Sequence, residues 1–267
     1  MLDGVKDGVL EDPTRCKFDP GVLECRQKEE ASCLTAAQVA VARKIYAGPS
    51  NFPGLEPGSE LGWATLSGPK PMDLALDTYR LLVFRNPAWN YLTFNPAADE
   101  ALAEKKISAA MNSVDPNLRP FFAHEGKLIQ YHGWADPGIP PRSSIDYYKS
   151  VLNALESEKK VPGVEAKKVQ DSYRLFMVPG MGHCTGGDGT STFDMVRALD
   201  HWVVQGEAPD QIPAYKIVNG AVVRTRPLCP WPQTAVYKGT GSTDEAANFS
   251  CQDPDQPKKI RRVAHRR

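Results

Sequence analysis

The sequence has no net charge: 32 basic side chains stand against 32 acidic ones in 267 residues. No field of one sign draws it to nucleic acid or to an anionic lipid surface. Its one basic concentration is the end of the chain, at Lys258, Lys259, Arg261, Arg262, Arg266 and Arg267, which reads as a solvated terminus. No apolar run approaches the ~18 residues that cross a bilayer. The opening MLDGVKDGVL lacks the basic start and sustained apolar core of a signal peptide. There are no internal repeats. Also missing is the strand–turn–helix elbow that presents a nucleophilic serine. Ser59 lies in PGSELG, which fails the G-x-S-x-G spacing. Ser191, in GTSTF, matches only half of it, and Ser143 and Ser144 open a helix.

What is present is a globular composition, 41% hydrophobic and 24% charged, long enough for one large domain or two small ones. Six cysteines sit at short spacings. Cys25 and Cys33 would close a small loop, and Cys229 and Cys251 would bracket another rich in Pro, Gly and Ser. Crosslinks there limit the freedom of segments with little core of their own, and oxidised cysteines imply an extracytoplasmic compartment. The sequon Asn248-Phe249-Ser250 fits a surface loop. Cysteines of this style without a signal peptide lead us to expect an N-terminal truncation.

Residues 1–34 read as loop. A helix is predicted over 35–46, with Thr35 and Gln38 forming a capping box and Val39, Ala42 and Ile45 on one face. Residues 47–72 are rich in Pro and Gly and read as irregular. An amphipathic stretch follows at 72–84 and a helix at 99–111. From Lys127 the pattern changes. A short apolar strand, Leu128 to Tyr131, ends at HGWAD, and a helix runs from Ser143 or Ser144 to about residue 158. A second strand at 173–178 runs into PGMGHC. A last helix is predicted over 192–204, burying Phe193, Val196, Leu199 and Val203. Strand, helix, strand, helix with short connections predicts a parallel α/β sheet, with a boundary near residues 115–125.

In such sheets functional groups gather at the C-terminal ends of strands. Asp136 follows the first strand and His183 the second, with Gly180 and Gly182 letting the backbone turn between strand and histidine. Acid and then histidine on consecutive strand ends is the order of an α/β-hydrolase triad whose serine comes earlier. The histidine acts as general base and the aspartate fixes its tautomer. Asp136 before Pro137 also suits a simple turn. His132, at the same strand end, competes for the role and is read as a packing or substrate-side residue. His201, beside Trp202, is read as structural.

A second candidate is the acidic loop Asp3-Gly4-Val5-Lys6-Asp7-Gly8-Val9. Two carboxylates four residues apart, each followed by glycine, can turn their oxygens toward a hard cation such as calcium. A solvated acidic turn is the alternative, and the EF-hand spacing is absent.

These segments resemble the tannase and feruloyl esterase family of α/β hydrolases over nearly the whole chain. The likeness rests on LDGVKDGV with Asp12-Pro13, on Cys16, Cys25 and Cys33, on CLTAAQV, YHGWADPGIPP and GMGHC, and on Cys229 with Cys251. It implies the C-terminal part of an α/β-hydrolase sheet preceded by most of a loop-rich, calcium-binding lid domain. The lid would take residues 1–120, the catalytic part 121–250 and a basic tail 251–267. It implies a serine carboxylesterase acting on small or plant-polymer-linked esters of aromatic acids, hydroxycinnamate or gallate, with no nucleic-acid or membrane partner. Asp136 would be the triad acid and His183 its base. Calcium, a structural ion, would be held by the carboxylates of Asp3 and Asp7 and the carbonyls of Val5 and Val9. The disulfides would be Cys25–Cys33 and Cys229–Cys251. In the family the histidine-linked cysteine pairs with one beside the serine, so Cys184 would be orphaned, as would Cys16.

The serine is therefore expected upstream of Met1, in a secreted or periplasmic parent, with this chain inactive alone. The competing reading is a non-catalytic, calcium-dependent binding module. Trp63, Phe84, Trp89 and Tyr91 are candidate pocket aromatics, with packing the more natural role.

Overall fold

The computed structural model describes residues 2–26, 28–49, 51–68, 70–156 and 169–255. The basic tail from Lys258 onward and the last two residues of the helix predicted to reach 158 lie outside these. Helix α1, Ala36–Ala47, starts on the predicted box. Thr35 Oγ1 accepts from the Gln38 amide at 3.2 Å, and Gln38 Oε1 accepts from the Thr35 amide at 2.8 Å. Two amides that a first turn leaves unpaired are thereby satisfied. Val39 and Ala42 are buried beneath it. The amphipathic stretch is a helix at Asp73–Asp77 that widens into a π-helical segment at Thr78–Val83.

Helix α2, Pro96–Met111, begins ahead of the predicted start at Asp99. Asn95 caps it, accepting from the Ala98 amide at 3.2 Å, and Pro96 fills a first-turn position that needs no donor. Asp99 reaches back to the Asn95 amide at 2.8 Å. It therefore secures the helix start without being that start.

Strand β1, Leu128–Gly133, and strand β2, Tyr173–Val178, pair in parallel from Leu128 beside Tyr173 to Gly133 beside Val178. Helix α3, Arg142–Glu156, connects toward β2 and lays Ile145, Tyr148 and Val151 against Trp134, Tyr173 and Leu175. Each such side chain, fully buried, contributes about 1.5–3 kcal/mol of transfer free energy. This core holds the two strand ends at a fixed separation.

The last helix departs from the expectation over 192–204. Helix α4 is Met195–Gln205, capped by Asp194, whose side chain accepts from the Arg197 amide at 2.8 Å. Residues Thr192–Phe193 form a short strand, β3, that pairs with Tyr215 and Ala214. The buried face differs too. Val196 and Val203 are exposed, Trp202 is buried, and Met195 and Ala198 pack on the core. Two overlapping stripes have helical spacing here, and the one carrying the large indole faces inward.

Strands β4, Ile212–Val218, and β5, Ala221–Leu228, form an antiparallel hairpin that the sequence reading missed. Asn219 and Gly220 turn it with φ of 51° and 80°, the left-handed pair a tight hairpin requires. Strands β6, Thr234–Tyr237, and β7, Phe249–Gln252, pair beside it. Both expected disulfides are formed, Cys25–Cys33 and Cys229–Cys251, and Cys16 and Cys184 are free thiols. The N-terminal loop packs on this end of the molecule, where Val5 meets Ala235 and Phe249. Among the described residues no helix is long and apolar enough to cross a membrane.

Candidate active site

The parallel register of β1 and β2 brings the two strand ends together. The Trp134 amide donates to the Val178 carbonyl and the Ala135 amide to the Met181 carbonyl, both at 2.9 Å. Gly180, at φ 66°, starts the turn that carries His183, a conformation that disfavours other residues. Gly182 does not share that conformation. The result places His183 Nδ1 at 2.8 Å from Asp136 Oδ2.

Asp136 is 3% exposed, and its carboxylate has four donors. Oδ1 accepts from the amides of Gly138 at 2.7 Å and Ile139 at 2.9 Å. Oδ2 accepts from His183 and from His132 Nε2, the latter at 3.1 Å. Burial pushes this carboxyl up, but the bonds from His132, Ile139, His183 and Gly138 together hold it well below the usual carboxylate range. Asp136 is therefore an anion at any ordinary pH. Since Nδ1 of His183 faces that anion, Nε2 on the far side of the ring is the nitrogen left to take a proton. The His183 side chain is 59% exposed, open to a reacting group.

A cavity of about 550 Å³ adjoins His183, within the range of small-molecule sites. Leu10 and Pro57 line it from the N-terminal segments, and Trp134 and Pro137 line it from the strand end. Leu61, which is almost wholly exposed, also lines it. A larger apolar cavity of about 640 Å³ lies against α1, between Leu23, Ile45 and Trp63, and includes neither Asp136 nor His183. The candidate base, His183, lines the smaller one.

None of the four candidate aromatics lines the cavity at His183. Trp63 packs edge-on to Tyr46, and Phe84 and Trp89 stack with centroids 4.9 Å apart. Tyr91 sits in a short 3-10 turn. Among the described residues no serine hydroxyl bonds His183. Ser59 lines the cavity, but its hydroxyl donates to the Glu56 carbonyl at 2.6 Å and accepts from Trp63 Nε1 at 2.9 Å. Ser144, rejected as a nucleophile on its position, bonds His132 Nδ1 at 2.7 Å instead. That contact had no signal in the sequence, because it joins a strand end to a helix face.

The acidic loop is an ion-pair centre in this structure. Asp3 Oδ1 accepts from the Val5 amide and Asp7 Oδ1 from the Val9 amide, each at 3.1 Å, and Asp3 Oδ2 accepts from the Glu11 amide at 3.3 Å. Asp7 Oδ2 meets Arg226 Nη2 at 2.5 Å and Arg224 Nη1 at 3.6 Å. Burial pushes the neighbouring Glu11 carboxyl up to about 8, with Arg226 at 3.6 Å acting against it. Neither Glu11 nor the two arginines was singled out in the sequence. The oxygens of Asp3, Val5, Asp7 and Val9 are of the hard kind that calcium takes, yet four residues fall short of its six to eight ligands. Among the described residues no group of three or more His, Cys, Asp or Glu is placed to hold a metal. The donor set thus fits calcium in kind but not in number.

The sequence pattern of the tannase and feruloyl esterase family matches residues 1–73 and 74–252. An uncharacterized esterase of Xanthomonas campestris pv. campestris is 38% identical over 94% of this chain and 52% of its own length. A mono(2-hydroxyethyl) terephthalate hydrolase of Piscinibacter sakaiensis is 30% identical over 95% of this chain and 49% of its own. The crystal structure of feruloyl esterase B from Aspergillus oryzae matches with a TM-score of 0.83 at 30% identity, covering 94% of this chain and 53% of that one. Tannin acyl hydrolase from Aspergillus niger, at 22% identity and a TM-score of 0.73, agrees in fold. The chain spans about half the length of these relatives.

Proposed function

Because this chain belongs to the tannase and feruloyl esterase family, an α/β-hydrolase fold, we propose that it carries the acid and base of a carboxylic ester hydrolase. The substrates would be esters of aromatic acids, such as hydroxycinnamates or gallates. The observation that carries the reading is the 2.8 Å bond from His183 Nδ1 to a buried, four-fold bonded Asp136 carboxylate at adjoining parallel strand ends. In the reaction, His183 Nε2 takes the proton of a serine hydroxyl as that oxygen attacks the ester carbonyl, then returns it to the departing alcohol. Asp136 fixes the Nδ1–H tautomer and stabilises the imidazolium. Water then releases the acyl group from the serine by the same exchange.

Among the described residues no serine is bonded to His183, so we place the nucleophile, with the cysteine that would pair Cys184, in the part of the family fold that this chain does not span. On this reading the chain alone is inactive. A model hydroxycinnamate ester should be hydrolysed no faster by it than by its His183→Ala variant. Hydrolysis that depends on His183 should appear when a Cys-Ser segment is joined to it. Robust His183-dependent turnover by the chain alone would overturn the placement of the serine, and no turnover in the joined protein would overturn the esterase reading.

Calcium belongs to the proposal as a structural ion. Asp3, Val5, Asp7 and Val9 would supply part of its shell, and it would order the N-terminal loop. The two disulfides support a secreted or periplasmic parent.

A further inference from the structure

Asp136 Oδ2 has two histidine partners, and the proposed chemistry uses only one of them. The other, His132, offers Nε2 at 3.1 Å from that oxygen and 3.2 Å from the Ile139 carbonyl oxygen. Both of these atoms are acceptors, so Nε2 carries the proton. Nδ1 of the same ring lies 2.7 Å from Ser144 Oγ. On the neutral ring Nδ1 is then bare, so Ser144 Oγ donates to it while accepting from Gln130 Nε2 at 2.9 Å. Gln130 Oε1, in turn, accepts from the Tyr173 hydroxyl. Every donor in the series Tyr173, Gln130, Ser144, His132 therefore faces the same way, and the series ends on Asp136. Tyr173 and Ser144 are buried and the His132 side chain is 11% exposed, so water has little access to break the sequence of bonds.

We propose that His132 is a positioning residue for the acid–base pair: held as its Nε2–H tautomer by Ser144, it pins Asp136 Oδ2 and shares that oxygen with His183. The sharing has a consequence. Each N–H donor takes up part of the charge on the shared anionic oxygen, so His132 moderates the Asp136–His183 bond while fixing the carboxylate in place. The bond from His132 is one of the four that hold the Asp136 carboxyl below the usual carboxylate range against its burial. The idea rests on the reading of Asp136 and His183 as an acid–base pair, but its test does not require turnover.

Two-bond proton–nitrogen NMR correlations, recorded on the nitrogen-labelled chain at neutral pH, report the tautomer of each histidine. The expected pattern at His132 is a protonated Nε2 and a bare Nδ1. An Nδ1–H tautomer would overturn the proposal, because a bare Nε2 cannot donate to Asp136. The second readout is the proton on His183 Nδ1, followed near freezing in wild type, His132→Phe and His132→Gln. It should move downfield in His132→Phe, where Asp136 Oδ2 serves a single donor. It should return toward the wild-type position in His132→Gln, whose amide can take the place of Nε2–H. The same resonance position in all three proteins would overturn the coupling. If His132→Phe does not fold, the wild-type tautomer still decides. A failure here leaves the esterase reading standing, and an inactive chain can still pass.

Discussion

Arg226 Nη2 meets Asp7 Oδ2 at 2.5 Å, joining two residues 219 positions apart in the chain. Both side chains are buried, and the guanidinium also lies 3.8 Å from the centroid of the Phe249 ring. Removing one partner of such a pair leaves a charge in a dry place, at a cost of about 3–5 kcal/mol. Arg226→Met should therefore lower stability by an amount in that range, measured by urea unfolding. The double variant Arg226→Met, Asp7→Asn should recover part of the loss, since it removes both charges of this pair but leaves Arg224 and Glu11 each short of one partner. A single variant within about 1 kcal/mol of wild type would show that Asp7 is compensated without Arg226, by solvent or by Arg224.

Calcium is testable on the same loop. An ion that binds only the folded chain stabilises it by mass action, by about 2.7 kcal/mol at a concentration one hundred times its dissociation constant. Calcium should raise the thermal midpoint, a chelator should reverse the rise, and Asp3→Ala should abolish it. Isothermal titration without heat at millimolar calcium would remove calcium from the proposal.

Local chemistry made much of the fold legible. The capping box at Thr35 and Gln38 is a three-residue pattern, and the strands at 128–133 and 173–178 are short apolar runs bounded by turn residues. The adjacency of Asp136 and His183 followed from strand order, because consecutive parallel strands end side by side. The Asn219-Gly220 hairpin also had a local signal, in two residues that accept left-handed backbone, but it went unread. Other features had no local signal. Whether Val196 or Trp202 faces inward on α4 depends on what lies opposite. The pairing of Asp7 with Arg226 and of His132 with Ser144 exists only once distant segments have met.

The Asp136 carboxylate should also shape the response to acid. Its folded-state pKa lies below its unfolded value of about 3.9, because its four donors outweigh the burial that alone would raise it. A depressed pKa contributes stability that is present above the unfolded value and is lost as pH falls through the folded one. Wild type should thus lose stability steadily below about pH 4. Asp136→Asn, which has no proton to take up at this position, should be less stable at neutral pH and show a shallower acid slope. Urea midpoints measured at several pH values on both proteins give the comparison. Parallel slopes would mean that Asp136 does not contribute to the acid response.

At Gly133 the strand end that leads to Asp136 closely approaches the backbone of the turn that carries His183. A Cβ there would lie 2.6 Å from the Gly182 carbonyl oxygen and closer still to that of Met181. Both are backbone atoms, so a side-chain rotation cannot relieve the overlap. The turn carrying His183 would have to move away from the loop carrying Asp136, against the two 2.9 Å amide bonds that tie these strand ends together. Gly133→Ala should therefore cost about 1–3 kcal/mol and weaken the Asp136–His183 bond, seen as loss of the His183 Nδ1 proton resonance. Gly138→Ala is the matched control. Its Cβ would meet Asp136 Oδ1 at 3.3 Å and His183 Nδ1 at 3.6 Å, contacts that a shift of a few tenths of an ångström accommodates. It adds the same methyl group beside the same pair without wedging the strands apart, so it should keep the resonance and most of the stability. If Gly133→Ala kept both as well, the spacing of the pair would be set by the side chains and not by the approach of the two strand ends.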